Sequence, residues 1–347
     1  MVESMSGGDL EAHGLALFND QMGLEVVRPT TKTVRLLELD PEGPHESGES
    51  LELDYLVPRG EVCLIGEITS RSNSTSIKGK FDRFRRQYEL VSGKLTSGSR
   101  ANRRKVLLTL GVPEDKVGSF LEITSCKGFY LQTQNSRSDY EVPQVPGIAA
   151  MYSSDWEQLQ EYAQAIGEYA QHPFFDRFGL ERKEGNRVIR IKPEPHHLHR
   201  EAGRTIASNV EPADVFTFVA NPYDLLHIAR VFRRDELAPQ SKRDRMYQRA
   251  LLPEKLRKIR NVLRANPKFM FPNGILLVLE SNCEYTRGNL DIADCYGSVI
   301  VIDGQHRLFS YADPEIEEIS EKKAKIPVTA AVLVQPDLEG SLRCVSE

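Results

Sequence analysis

The sequence has no apolar run approaching 18 residues. Its longest, residues 274–279, has the length of a strand, so no transmembrane helix is expected. It has no Cys-x-x-Cys pair. The five cysteines (Cys63, Cys126, Cys283, Cys295, Cys344) are odd in number and scattered, which supports neither a disulfide framework nor a zinc site. Residues 1–13 are acidic and glycine-rich and lack the basic start and apolar centre of a secretory leader. These absences together point to the cytoplasm and to no membrane partner. No internal repeat and no low-complexity tract is present, which excludes solenoids and fibrous chains. What is there is ordinary: 40% hydrophobic and 27% charged residues with a mean hydropathy of −0.41. A globular chain of 347 residues is long enough for two domains, or three.

Charge is unevenly placed. The net charge is −5, yet residues 1–54 carry 12 acidic and 3 basic side chains. Residues 71–105 carry 11 basic and 2 acidic, and residues 226–269 carry 13 basic and 4 acidic, +9 in each case. Two cationic segments in an acidic protein suggest local contacts with a polyanion. Arg83, Arg85 and Arg86 in the first and Arg257 and Arg260 in the second are the candidate DNA contacts.

Periodicity predicts a helix over residues 8–22, strands over 34–39, 51–57 and 61–69, a basic helix over 77–91 and a buried strand over 106–110. Residues 121–124 and 128–132 read as a strand pair. The proline-bearing stretch 143–146 reads as a linker, and a Ser153 or Ser154 cap opens a helix to about residue 171. Trp156 on its apolar face reads as core. Further on, helices are expected over 222–230 and 253–265, strands over 275–280, 298–302 and 326–334, and a turn with a helix over 303–312. Residues 193–199 read as a surface loop. Its His196, His197 and His199 have only Glu194 nearby, a poor metal set.

Two constellations carry chemistry. The first is acidic. Glu52 and Asp54 lie in one strand run and Glu67 near the end of the next. A hairpin of the two would set Asp54 and Glu67 side by side, a pair of hard oxygen donors suited to Mg²⁺. This pattern resembles the PD-(D/E)XK nuclease family, whose members carry an acid on one strand, acid-x-Lys on the next and often a helical Glu upstream. The resemblance implies that Asp54 and Glu67 ligate the metal and that Glu11 is the upstream acid. Thr69 stands where the family has Lys. Lys78 or Lys80, at the start of the basic helix, would then supply the ammonium, as in family members that relocate it.

The second constellation is Asp303-Gly304-Gln305-His306-Arg307, which follows a β run at 299–302 and opens an apolar-periodic helix. A strand, a glycine turn and a helix start form a natural anion site. Arg307 can grip a phosphate with two bonds, and His306 is a candidate general acid or base. The motif is similar to that of the DGQHR-domain family, a ParB/sulfiredoxin-like group that includes regulators of DNA phosphorothioation and phage-defence proteins. Tyr247 and Arg249 resemble its Tyr-x-Arg segment, residues 271–275 its Phe-Pro-Asn-x-Ile entry and residues 326–328 its later strand. The resemblance covers about residues 214–337 and implies binding of DNA or of a nucleotide phosphate, ATP or GTP. Family domains continue further, so a partial domain is expected for the sequence up to Glu347, as a short form, a truncated product or a fragment.

The expected fold is mixed α/β: a nuclease-like domain over residues 1–142, a helical linker region over 143–213 and a partial DGQHR domain over 214–347. The expected function is a DNA-directed protein of a defence or DNA-modification system, acting with other proteins of that system. The alternatives are a non-catalytic DNA-binding regulator and a nucleotide-sensing module or NTPase that works through partner proteins.

Overall fold

The structure, a computed structural model, describes residues 7–29, 39, 51, 53–69, 74–132, 142–180, 187–197, 214–231, 251–280, 282–320 and 323–332. The chain is mixed α/β and divides into two compact units, residues 1–160 and 161–347.

The first unit opens with α1 (Gly7–Ala16) and a π-helical turn (Leu17–Gln21). Strands β1 (Tyr55–Arg59) and β2 (Val62–Thr69) form an antiparallel hairpin. Helices α2 (Ser74–Thr96), α3 (Arg100–Thr109) and α4 (Val117–Leu121) then carry the chain to β3 (Ser125–Gln132), which lies parallel to β2. Strand β4 (Ile148–Tyr152) is parallel to β3, so the sheet order is β1-β2-β3-β4. Helix α5 (Ser153–Ile166) follows, and the division between the units falls within it.

Three layers result. Ile77, Phe81, Phe84, Tyr88, Val91 and Leu95 recur at spacings of four and three along α2 and are all buried with Leu56, Cys63, Ile65 and Tyr130 of the sheet. Each such side chain contributes roughly 1.5–3 kcal/mol by leaving water. On the other face Phe18 meets Tyr55, Phe129 and Trp156, ring centroids 5.6–6.1 Å apart. Gly66 lies directly beneath the Phe129 ring, where a Cβ would collide with it. The residue before Glu67 therefore has to be glycine for this aromatic layer to close.

The second unit holds a six-stranded sheet of order β6-β7-β13-β9-β12-β8, made of β6 (Glu194–His197), β7 (Asp214–Ala220), β8 (Ala229–Arg230), β9 (Ile275–Leu279), β12 (Val299–Asp303) and β13 (Ile326–Val332). The pairs β13–β9 and β12–β8 are parallel and the rest antiparallel. A small antiparallel sheet joins β5 (Val188–Ile191), β10 (Cys283–Thr286) and β11 (Asn289–Ala293). The described helices of this unit include α6 (Gln171–Asp176), α7 (Pro222–Leu226), α8 (Pro253–Ala265), α9 (Gln305–Phe309) and α10 (Pro314–Ser320). Among the described residues no helix is long and apolar enough to cross a membrane.

Four expectations are corrected. Residues 106–110 are not a strand but the end of α3 and its C-cap. Ser99 caps the helix by accepting from the Asn102 N–H, and Leu107 and Leu110, three apart, are the buried positions. Residues 121–124 do not pair with 128–132: α4 ends at Leu121, and 125–132 form one strand. Residues 194–197 are not a loop but edge strand β6, polar because only one side of it is paired, which also accommodates Pro195. The helix expected over 222–230 stops at Leu226, and Ala229–Arg230 cross into the sheet. The strand expected over 34–39 falls largely outside the described residues.

Candidate functional site

The hairpin delivers the first constellation. Its register ends with Tyr55 opposite Gly66, so beyond that pair no strand among the described residues lies beside that edge of β2. A residue's N–H and C=O point to the same strand edge, and both groups of Ile68 need partners there. The Asp54 carboxylate takes the N–H (Oδ2 to N, 2.7 Å), and Lys80 Nζ lies 3.4 Å from the C=O. Lys80 also forms an ion pair with Glu67, Nζ to Oε1 at 2.6 Å. The Glu67 side chain is 3% exposed and that of Lys80 19%. Asp54 and Lys80 thus meet the backbone of one residue of β2, Ile68, and Lys80 ties the side chain of Glu67 to the same place. Lys78, two residues earlier, is exposed. Thr69 is buried. Burial pushes the Tyr55 hydroxyl far above its ordinary pKa, and the charges of Asp54 and Glu67 push the same way against Arg28.

Glu11 lies in α1, but its side chain is outside the described residues. No cluster of three or more metal-ligating side chains occurs among the described residues. Asp54 and Glu67 are oxygen donors fit for a hard cation such as Mg²⁺, which commonly takes one or two carboxylates and fills its shell with water and phosphate oxygens.

The first cationic segment splits by role. Arg103 donates to the carbonyls of Phe120 and Ile123, Arg104 pairs with Glu114, and Arg100 with Glu122. Lys78, Arg85 and Arg86 are exposed along α2 and make no hydrogen bond or ion pair among the described residues, while Arg83 is partly buried.

The second constellation forms as its pattern implies. Strand β12 is buried through Ile302, and Asp303 emerges exposed. Gly304 turns the chain at φ 89°, where a side chain would also strike Ile275 and Arg307. Arg307 Nη2 bonds Asp303 Oδ2 at 2.9 Å, with side-chain exposures of 21% and 76%. His306 Nε2 accepts from the Leu252 N–H at 3.0 Å, and Gln305 is buried. Tyr247 and Arg249 fall outside the described residues.

No family model, no curated protein and no solved structure matches the chain.

Arg260, expected as a DNA contact, turns inward instead. It donates to the carbonyls of Ala165, Phe309, Ser310 and Ala312 and pairs with Asp313 at 3.4 Å. One of those carbonyls, that of Phe309, ends α9 and also accepts from the Ala312 N–H at 3.2 Å. Burial lowers the Arg260 pKa, with Asp313 opposing. Arg257 of the same helix is exposed. His196 meets Thr217 Oγ1 at 3.0 Å.

Sequence reasoning passed over Gln132, which ends β3 and is buried at 3% exposure. The available signal was a long polar side chain directly after the apolar run of residues 129–131.

Proposed function

We propose that the first unit is a metal-dependent nuclease-like domain of the PD-(D/E)XK kind, acting on DNA. The second would be a DGQHR module that binds a phosphate of DNA or nucleotide, within a defence or DNA-modification system. The observation that carries this is the Lys80–Glu67 contact of 2.6 Å. It sets an ammonium beside the paired carboxylates although Thr69 holds the position where the family has Lys.

Asp54 and Glu67 would hold Mg²⁺. Bound there, the ion supplies an activated water and stabilises charge on the phosphoryl group. Asp54 is oriented by its bond to the Ile68 N–H. Lys80 neutralises Glu67 in the metal-free protein and, once a cation shares that carboxylate, presents its ammonium to the developing charge of the phosphate. Lys78, Arg85 and Arg86 supply contacts to flanking phosphates, so DNA affinity falls steeply with salt. In the second unit Arg307 exchanges Asp303 for a ligand phosphate.

The test is cleavage of duplex and single-stranded DNA in Mg²⁺ or Mn²⁺ by wild type, Asp54→Asn and Lys80→Met. Loss of about 100-fold or more in rate in both variants is expected, the size typical of removing one preorganised charge-stabilising group. Equal cleavage by Lys80→Met and wild type overturns the role of Lys80. Thr69 favours a second reading, a non-catalytic DNA-binding regulator. Salt-dependent binding without cleavage by wild type is its signature.

A further inference from the structure

Among the described residues the first unit buries six polar or charged side chains: Glu67, Thr69, Gln87, Gln132, Ser153 and Asp155. All but Gln87 stand at or just past the C-terminal ends of β2, β3 and β4. Burying a polar group costs free energy unless it is bonded, so such groups are scarce in a core and rarely gather without a purpose. The carboxyl ends of parallel strands are also where open α/β sheets form their ligand crevices.

Asp155 is accounted for locally, since its Oδ2 accepts from the Tyr152 N–H at 2.8 Å at the start of α5. Gln132 ends β3. It stands in register with Thr69 on the parallel neighbour strand, so the two share a face, and Thr69 shares that face with Glu67 two residues earlier. Tyr130, in register with Glu67, packs on Phe81 and Phe84 of α2 at 5.2 and 5.7 Å. The face is therefore the one that α2 covers and from which Lys80 reaches Glu67. The diagonal from Glu67 to Gln132 spans about 8 Å between Cα atoms, given strands roughly 4.8 Å apart and a rise of about 3.3 Å per residue. Two long side chains are long enough to span that distance.

We propose that Gln132 is a further residue of the carboxylate site, a positioning residue whose carboxamide steers the Glu67 carboxylate toward the cation and the scissile phosphate. This deepens the nuclease function proposed above and rests on it. An amide suits the place: its N–H groups donate to a carboxylate without adding a third negative charge beside Asp54 and Glu67.

The experiment is thermal unfolding of the full-length chain during titration with Mn²⁺, for wild type, Gln132→Glu and Gln132→Met, alongside DNA cleavage. A third carboxylate facing the site lowers the apo melting temperature of Gln132→Glu and tightens Mn²⁺ binding by about 10-fold or more, because ligand charge sets cation affinity. Gln132→Met keeps the bulk and removes the donors. It weakens Mn²⁺ binding several-fold and lowers kcat with KM for DNA nearly unchanged, which a merely structural role would not do.

If wild type responds to Mn²⁺ and neither variant shifts the midpoint, Gln132 lies outside the site while the metal site stands. If only Gln132→Glu responds, Gln132 faces the carboxylates and the metal role of the wild-type pair falls. If no protein responds, both fall. Should Gln132→Glu not fold, an unshifted midpoint and unchanged kcat in Gln132→Met alone overturn the proposal.

Discussion

The two candidate sites each contain one carboxylate held by one cation, and they are built in opposite ways. Glu67 and Lys80 are 13 residues apart and meet only because α2 packs on β2. Asp303 and Arg307 are four apart and meet across one turn. The Glu67 side chain is 3% exposed and that of Asp303 76%. An exposed local pair is worth a few tenths of a kcal/mol, because water competes with the partner. A buried pair is held tightly, because either member left behind keeps its charge in a medium that solvates it poorly. The contrast assigns different chemistry to the two places. Arg307 can leave Asp303 for a phosphate at small cost. Glu67 leaves Lys80 only for another cation.

The sharpest way to break this comparison is Lys80→Met. Removing the ammonium from a buried carboxylate is expected to destabilise the protein by roughly 3 kcal/mol, read from the urea midpoint. Adding Glu67→Gln should recover much of it, and additive losses would mean that the two side chains do not act as a pair. Next in size is the response to metal. Mg²⁺ or Mn²⁺ at 100 times its Kd should stabilise the native state by about 2.7 kcal/mol through linkage, and Asp54→Ala should abolish the rise in Tm. An unchanged melting curve in millimolar metal would remove the cation site.

A third measurement asks whether buried, long-range cations matter in the second unit as well. Arg260→Ala should cost about 2 kcal/mol, since it strips hydrogen bonds from several partly buried carbonyls and a partner from Asp313. Arg257→Ala, on the exposed side of the same helix, should leave the unfolding curve in place. Among the ion-paired cations Lys80, Arg260 and Arg307, the smallest stability effect belongs to Arg307→Ala, at most about 0.5 kcal/mol. Its effect on ligand is expected to be large: a loss of about 10- to 150-fold in affinity for ATP, GTP or a DNA duplex by calorimetry, with Arg307→Lys recovering part of it. Equal binding by wild type and Arg307→Ala would leave the Asp303–Arg307 bond as a structural brace.

Elements with a sustained period were legible and short ones were not. Helix α8 runs over residues 253–265 as its apolar spacing predicts, because Leu256 and Leu263, a heptad apart, are its buried positions. Residues 106–110 offered one short apolar run, and a run that short fits either period. Strand β6 hid because an edge strand buries too little to write an alternating pattern. At the site, the sequence offered Lys78 and Lys80 as equals. Helical phase separates them: Lys80 is three residues from Ile77 and four from Phe84, beside the buried stripe, whereas Lys78 falls on the outer face.

The sequence by itself determined the mixed α/β character, the hairpin that brings Asp54 to Glu67 and the strand–glycine–helix turn at Gly304. All three are written in local patterns of period, turn residue and spacing. Only the tertiary structure decided that Lys80 answers Glu67, that Arg260 serves the end of α9 rather than solvent, and that Gln132 lies buried beside Thr69. Each depends on which helix face meets which sheet face or on which strands become neighbours across long loops. Such outcomes are set by packing between separate elements of the chain, and no local pattern of period or turn contains them.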